Sequence, residues 1–209
     1  MIRLKIILTL LSIIAKISYS YASNNIYIQA TEQLAVTNFD YVTTMYFNTS
    51  IEGFYNFEST NFIVGGGIGT INSTTDTFYA NNGGQYNSVF AVPYVSILGG
   101  FMFKPLPKIR NTTILRLAQS FSGRSTCNSG NSLAICNPAT SDTNITQIGA
   151  RNSTMYFFTP NFYASFNVGI DLNSFVFTPA FSVNPDNVIQ SRTYHNPGPN
   201  LGLSLGFNF

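Results

Sequence analysis

The last ten residues, NLGLSLGFNF (Asn200–Phe209), alternate cleanly between two kinds of side chain. Leu201, Leu203, Leu205, Phe207 and Phe209 share one parity, and small or polar residues lie between them. Neighbouring side chains of a β-strand point to opposite faces, so this alternation indicates a strand rather than a helix. The stretch therefore predicts a β-strand with an apolar face and a small, polar face.

Similar alternation runs upstream and predicts further strands separated by turns. In FYASFNVGIDL (Phe162–Leu172) every second residue is apolar, and Asn173 is predicted to form a tight turn before a strand over Phe175–Val183. A polar loop is predicted over Asn184–Asn200. The other strand candidates are Leu115–Phe121, Val89–Phe103, Phe62–Gly69, Ile51–Phe57 and, for the first strand, Ile26–Leu34, Phe39–Phe47 or both.

The composition favours a membrane protein that crosses the bilayer with strands. The chain is 15% aromatic and only 9% charged, whereas soluble domains are about 25% charged. The longest apolar run after the N-terminus, Val89–Phe103, is interrupted by Pro93 and is shorter than the roughly 20 residues of a transmembrane helix. A closed β-barrel is the other structure that satisfies its own backbone in lipid.

The N-terminus has the features of a secretory signal peptide. Arg3 and Lys5 precede an apolar run over 6–15, and Ser20-Tyr21-Ala22 supplies small residues at the −3 and −1 positions of a cleavage site. We therefore predict a signal peptide over 1–22 and a barrel domain over 23–209; an uncleaved anchor is the alternative. The signal holds three of the ten basic residues, so the remainder has no basic excess that would point to nucleic acid.

The polar faces of the predicted strands suit the interior of a narrow barrel. They are rich in Gly, Ser, Ala and Asn, which fit a crowded lumen. Glu52, Glu58 and Arg116 are predicted to lie inside, as candidates for lumenal ion pairs. A secreted β-sandwich is the alternative. At about 9–11 residues per membrane strand, the length predicts an all-β, eight-stranded, antiparallel, up-and-down transmembrane barrel, with ten strands left open.

Short and long connections are predicted to alternate, which sets an orientation. The predicted short turns are 58–60 and Asn173, and the long loops are 71–88, 122–146 and 184–200. Outer-membrane barrels have short periplasmic turns and long outer loops. The segment Lys104–Arg110 is then a periplasmic connection. Cys127 and Cys136 lie in one long loop, and we predict a local disulfide between them in an exported chain.

Leu203, Leu205, Phe207 and Phe209 resemble the C-terminal insertion signal of bacterial outer-membrane barrels, an alternating strand that ends in Phe. With the signal peptide and the chain length, the sequence resembles the small OmpA/OmpX-like barrels and related surface antigens. The resemblance implies residence in the bacterial outer membrane, contact with its lipid, and recognition by the barrel-assembly machinery. It also implies outer loops that meet host-cell or environmental ligands.

The predicted function is a non-enzymatic surface protein, either adhesin- or antigen-like or a stabiliser of the envelope. A narrow channel or an OmpW-like carrier of small hydrophobic molecules is the alternative, although eight strands enclose little free space. A lipid-modifying enzyme would need His195, the sole histidine, beside a nucleophilic Ser and an acidic residue. No such arrangement is recognisable, so no catalytic, cofactor-binding or metal-binding residues are predicted.

Overall fold

The computed structural model describes residues 25–39, 42–73, 76–79, 85–129, 139–179 and 191–209. Within these ranges no helix is long and apolar enough to span a membrane. The same ranges contain ten strands: β1 (Ile26–Phe39), β2 (Val42–Phe57), β3 (Phe62–Ser73), β4 (Asp76–Tyr79), β5 (Gln85–Leu106), β6 (Ile109–Ser120), β7 (Arg124–Ser129), β8 (Thr140–Phe157), β9 (Phe162–Thr178) and β10 (Arg192–Asn208).

Eight of the strands form a closed antiparallel ring in the order β1-β2-β3-β5-β6-β8-β9-β10, with β10 paired back to β1. The seam is completed by Phe209 and Ile26, whose backbones exchange hydrogen bonds of 2.8 and 3.1 Å. The short strands β4 and β7 stand outside the ring: β4 pairs with β5, and β7 with β5 and β8. The predicted eight-stranded barrel is therefore confirmed.

The two ends of the ring differ in their connections. At one end, the turn end, strands are joined by the short segments 58–61, 107–108 and 158–161. Asn61 has a φ of 57°, a left-handed conformation that Asn tolerates better than most residues. At the other end, the loop end, the connections include β4, β7 and the interval between β9 and β10. The segment Lys104–Arg110 contains the turn between β5 and β6, as predicted.

The prediction of a turn at Asn173 is wrong. The strand β9 runs without a break through this residue, and Asn173 is buried inside the ring. The apolar row changes face at this point: Leu172 points outward, whereas Phe175 and Phe177 point inward. The apolar row changes face because the aromatic rings of β9 near the loop end fill the lumen, and the strand does not turn there. The predicted loop over 184–200 is also too long, because β10 begins at Arg192.

Two predicted N-terminal strands need a similar correction. Ile26–Leu34 lies in β1, which extends to Phe39. The second candidate belongs to β2 from Val42 onward, and β2 continues through Ile51–Phe57 as a single strand. Polar residues 48–50 sit within this strand and do not interrupt it. The predicted signal peptide over 1–22 lies outside the described residues.

Candidate functional site

The outer face of the ring is an apolar belt. Alternate residues of the ring strands expose large apolar side chains, and Leu203 (66%), Leu115 (64%) and Ile97 (63%) are among the most exposed. In a water-soluble protein so much exposed apolar surface would be a liability. The apolar row Leu201, Leu203 and Leu205 of β10 belongs to this belt.

An aromatic girdle rings the belt at the turn end. Aromatic rings at this end contact one another within and between strands, with centroid distances of 4.8 to 6.4 Å. Two runs of contacts form it: Tyr55–Phe57–Phe62–Phe101 and Tyr156–Phe158–Phe162–Phe207–Phe209. Such girdles mark the membrane interface in transmembrane barrels.

Inside the ring, a polar layer holds two buried ion pairs. Arg151 of β8 reaches across to Glu52 of β2 and donates two hydrogen bonds to its carboxylate, at 2.6 and 3.0 Å. Arg116 of β6 donates to both carboxylate oxygens of Asp171 on β9, at 3.1 and 3.2 Å. All four side chains are at most 6% exposed.

Each ion pair has its own amide partners in the polar layer. Gln29 donates to Glu52 at 2.8 Å, and Asn200 donates to Asp171 at 2.8 Å. Gln33 accepts from Arg116 at 3.3 Å and donates to Asn200 at 3.4 Å. Such satisfaction is what a buried charge requires. The hydrogen-bonding groups around each ion pair are therefore directed mainly at one another, although the Nε of Arg151 is buried without a partner.

Apolar clusters close the polar layer at both ends. The loop-end cluster contains, among others, Tyr46, Phe90, Tyr94, Phe175 and Phe177, all at most 8% exposed. The turn-end cluster consists of Tyr27, Phe54, Ile63, Leu98, Met102, Ile114, Met155, Phe157 and Tyr163. Arg110 lies over the ring of Phe157, 4.3 Å from its centroid, and covers this cluster. In the described residues the lumen is thus filled by three successive layers of side chains: apolar, polar and apolar.

Glycines make room for the large inward side chains. A Cβ at Gly65, on β3, would come within 2.6 Å of the Cβ of Phe54, and one at Gly69 within 2.6 Å of the Tyr94 hydroxyl. On β8, a Cβ at Gly149 would overlap the Asp171 carboxylate. Gly65 and Gly69 of the glycine-rich segment 65–69 therefore serve packing inside the barrel.

The structure places two of the three predicted lumen residues inside the ring and the third outside it. Glu52 and Arg116 point inside the ring, although each pairs with a residue that was not predicted. Glu58 does not: it lies in the first turn, with its side chain 58% exposed, and pairs with Lys104 at 3.4 Å. Residue 58 follows the last residue of β2, so the alternation no longer determines where it points.

The partners Arg151 and Asp171 were missed for different reasons. Asp171 shares the inward parity of Asn167 in β9, and this parity could have identified it. Arg151 lies in β8, where the outward face carries Asn152 and Thr154 instead of an apolar row. Nothing in that local pattern shows which parity faces inward, so only the pairing with neighbouring strands places Arg151.

The remaining predicted residues fall as follows. Leu203 and Leu205 point outward, whereas Phe209 is only 7% exposed and packs against Phe207. Cys127 is buried on β7, and Cys136 lies outside the described residues, so the disulfide stays a prediction.

The histidine is exposed on the outer face of β10. Its partner in the register is Ser174 of β9, and no hydrogen bond joins the side chains of His195 and Ser174. Neither register neighbour of Ser174, on β8 or β10, is acidic. The described residues thus bring together a histidine and a hydroxyl but no orienting acid.

Neither a family model nor a curated protein matches the sequence of this chain. The fold, however, is similar to solved outer-membrane proteins. Neisserial surface protein A matches with a TM-score of 0.53 at 14% identity, covering 91% of this chain and 100% of that one. A major outer membrane protein from Thermus thermophilus matches with a TM-score of 0.50 at 12% identity, covering 88% and 99%.

Ail, the attachment invasion locus protein of Yersinia pestis, also matches, with a TM-score of 0.44 at 14% identity over 88% of this chain and 97% of that one. At 14% and 12% identity, the likeness to the first two structures concerns the fold, and it agrees with the closed ring, the apolar belt and the aromatic girdle. The chain has the fold of the small outer-membrane β-barrels.

Proposed function

We propose that the chain is a non-enzymatic barrel of the bacterial outer membrane whose loop end faces outward and mediates surface interactions. The observation that carries the proposal is the combination of an apolar exterior with a lumen filled by ion pairs and rings. Lipid is the partner that suits the exterior, because the apolar band of such barrels, about 25 Å tall, faces the hydrocarbon. The filled lumen leaves the loop end as the place for interactions.

The interior argues against the channel and the carrier of small hydrophobic molecules. A carrier needs a cavity of some hundreds of Å³, whereas the lumen here contains stacked and tilted rings such as Tyr27 against Phe54, 5.0 Å apart. A channel needs a continuous polar path, and the two apolar clusters interrupt it. The refolded protein in a planar bilayer should show no single-channel steps; regular steps would favour the channel.

The outer surface changes character towards the loop end. On β8 the outward residues pass from Ile148 to Thr146, Asn144 and Asp142, and on the neighbouring β9 from Leu172 to Ser174. Strands that continue past the apolar belt with hydrophilic outer faces form a rim in water. The proposal assigns surface contacts to this rim and to the connections above it.

The C-terminal strand supports a second part of the proposal, recognition by the barrel-assembly machinery. The outward row Leu203, Leu205 and Phe207 lies at the seam of the ring, where β10 meets β1. This strand must pair with β1 for the ring to close. Its apolar face would be available to the machinery until closure.

The positions of the lysines provide a direct test of orientation. After the predicted signal, Lys104 and Lys108 are the only lysines, and both are exposed at the turn end. A membrane-impermeant amine reagent should therefore not label the protein on intact cells, and should label it once the outer membrane is permeabilised. The variant Arg192→Lys places an amine at the loop end and should be labelled on intact cells. Labelling of the unmodified protein on intact cells would refute the proposed orientation.

Surface interaction is tested on the same cells. Cells that express the protein should adhere to host-cell monolayers or matrix-coated surfaces more than matched cells without it. Digestion of intact cells with a protease that acts on the loop end should remove the difference. Equal adhesion with and without the protein would refute the adhesin-like role. A role in envelope stability would then be the function to test.

A further inference from the structure

One carboxylate lies in the middle of the apolar belt. Glu32 of β1 points outward and is exposed, with Leu34 above it and Ile28 and Ile26 below it on the same face. Across the ladder its partner is Leu203, the centre of the apolar row of β10. In the proposed membrane location this group lies in hydrocarbon, and ionisable residues at that depth are functional candidates by default.

Glu32 belongs to a small polar patch. The hydroxyl of Thr49 on β2 donates to its carboxylate at 2.5 Å. On the next strand, β3, Thr70 is the register partner of Thr49. Both threonines are exposed. One donor leaves most of the acceptor capacity of a carboxylate unused. We name Glu32, Thr49 and Thr70 the acidic patch.

A second polar patch interrupts the belt on β6 and β8. It is a two-by-two group in which Thr113 is paired with Asn152, and Asn111 with Thr154. Asn152 donates to Thr113 at 3.1 Å, and its amide has a second proton to donate. Along β8 this amide patch lies between Ile148 of the belt and Tyr156 of the aromatic girdle, so it is at the turn-end edge of the belt, with Asn152 its member farther from Tyr156 on that strand.

The two patches lie on opposite sides of the ring. In the ring order, β1 and β2 are separated from β6 and β8 by β3 and β5 on one side and by β9 and β10 on the other. The acidic patch offers acceptors, and the amide patch offers donors. In a second barrel inserted in the same direction, Asn152 is therefore the member of the amide patch that Glu32 can meet.

We propose that copies of this chain associate side by side in the membrane, the acidic patch of one copy binding the amide patch of the next. The contact is heterologous, because two different patches meet. Each copy in a pair therefore keeps one unused patch, to which a further copy can bind, so that rows can form. The driving force is the removal of polar groups from hydrocarbon, where they find no water. This inference rests on the proposed membrane location and goes beyond the proposed function.

The test uses the full chain refolded into phosphatidylcholine vesicles, with donor- and acceptor-labelled pools measured by energy transfer at a low protein-to-lipid ratio. Wild-type protein should show transfer above the level of random encounter. The variants Glu32→Leu and Asn152→Leu, each alone, should fall to that level, whereas the conservative variant Glu32→Gln should keep part of the transfer. Ile97→Leu, an outward change within the belt on β5, where its register partners Gly66 and Leu117 belong to neither patch, is the matched control and should behave as wild type.

The decisive sample is a mixture of the two leucine variants. Each retains the patch that the other has lost, so a heterologous contact predicts that mixing restores transfer, limited to pairs. If Asn152→Leu alone associates as the wild type does, the contact is a symmetric one through Glu32 and the proposal is refuted. Inserted wild-type protein that stays monomeric would refute it as well. Failure of the wild type to insert, seen as loss of the folded band in an unheated detergent gel, would instead refute the membrane location.

Discussion

Removal of Arg151 should destabilise the barrel strongly, because it leaves Glu52 as an unpaired charge in the lumen. Glu52 is 0% exposed and receives two hydrogen bonds from Arg151, at 2.6 and 3.0 Å. In Arg151→Met it would keep only the donation from Gln29 at 2.8 Å and a long one from Ser50 at 3.4 Å. Breaking a buried pair from one side typically costs about 3–5 kcal/mol, and we expect this range for the free energy of unfolding.

The structure offers a matched control for this variant. Lys104 pairs with Glu58 at 3.4 Å, but the two side chains are 43% and 58% exposed, so Lys104→Met should change the free energy of unfolding by about 0–1 kcal/mol. The double variant Glu52→Met with Arg151→Met removes both buried charges. It should be more stable than Arg151→Met alone, since replacing both partners with apolar side chains is often close to neutral.

Because the chain has no Trp, the folded fraction is best measured by gel mobility. Each variant is equilibrated in urea with phosphatidylcholine vesicles, and the folded and unfolded bands are quantified without heating. Equal midpoints for Arg151→Met and Lys104→Met would refute the reasoning. So would a double variant less stable than Arg151→Met, because the loss would then not come from an uncompensated charge.

Three further outcomes follow from the packing and the strand order. Gly149→Ala should cost roughly 1–3 kcal/mol of unfolding free energy through overpacking, whereas Gly99→Ala, where a Cβ would meet nothing within 4 Å, should be close to neutral in the same urea assay. Asn173→Pro should prevent folding, seen as loss of the folded band, because proline removes a hydrogen bond from the interior of a strand. A normal folded band would instead support a turn at Asn173. Alkylation of the unfolded, unreduced protein should leave Cys127 and Cys136 unmodified, and modification of both would disprove the predicted disulfide.

The sequence predicted the class of fold well because the outward face of most strands is a physical requirement. Rows such as Leu201 to Phe207 must be apolar wherever they face hydrocarbon, so their alternation is visible without a structure. The eight-stranded ring followed from length and from the strand length that a bilayer requires. Glu52 was found in the same way, because it alternates with Ile51 and Tyr55.

The same reasoning failed where the two faces were not chemically distinct. The row from Phe162 to Phe177 changes from outward to inward at Asn173, since the top of the lumen is filled by aromatic rings. Alternation alone cannot distinguish a ring in lipid from a ring in a core. The ion pair of Arg151 with Glu52 joins strands on opposite sides of the ring, and its partners are 99 residues apart in sequence. No local pattern contains that information.

The central claim is that outward residues of these strands meet hydrocarbon and inward residues do not. Since the chain lacks Trp, a single Trp can be placed at Phe166, which is 53% exposed, or at Tyr163, which is 0% exposed. In vesicles of brominated phosphatidylcholine, we expect the fluorescence of Phe166→Trp to be strongly quenched and that of Tyr163→Trp to be nearly unaffected. Equal quenching of the two, or quenching of neither, would contradict the assignment of outer and inner faces.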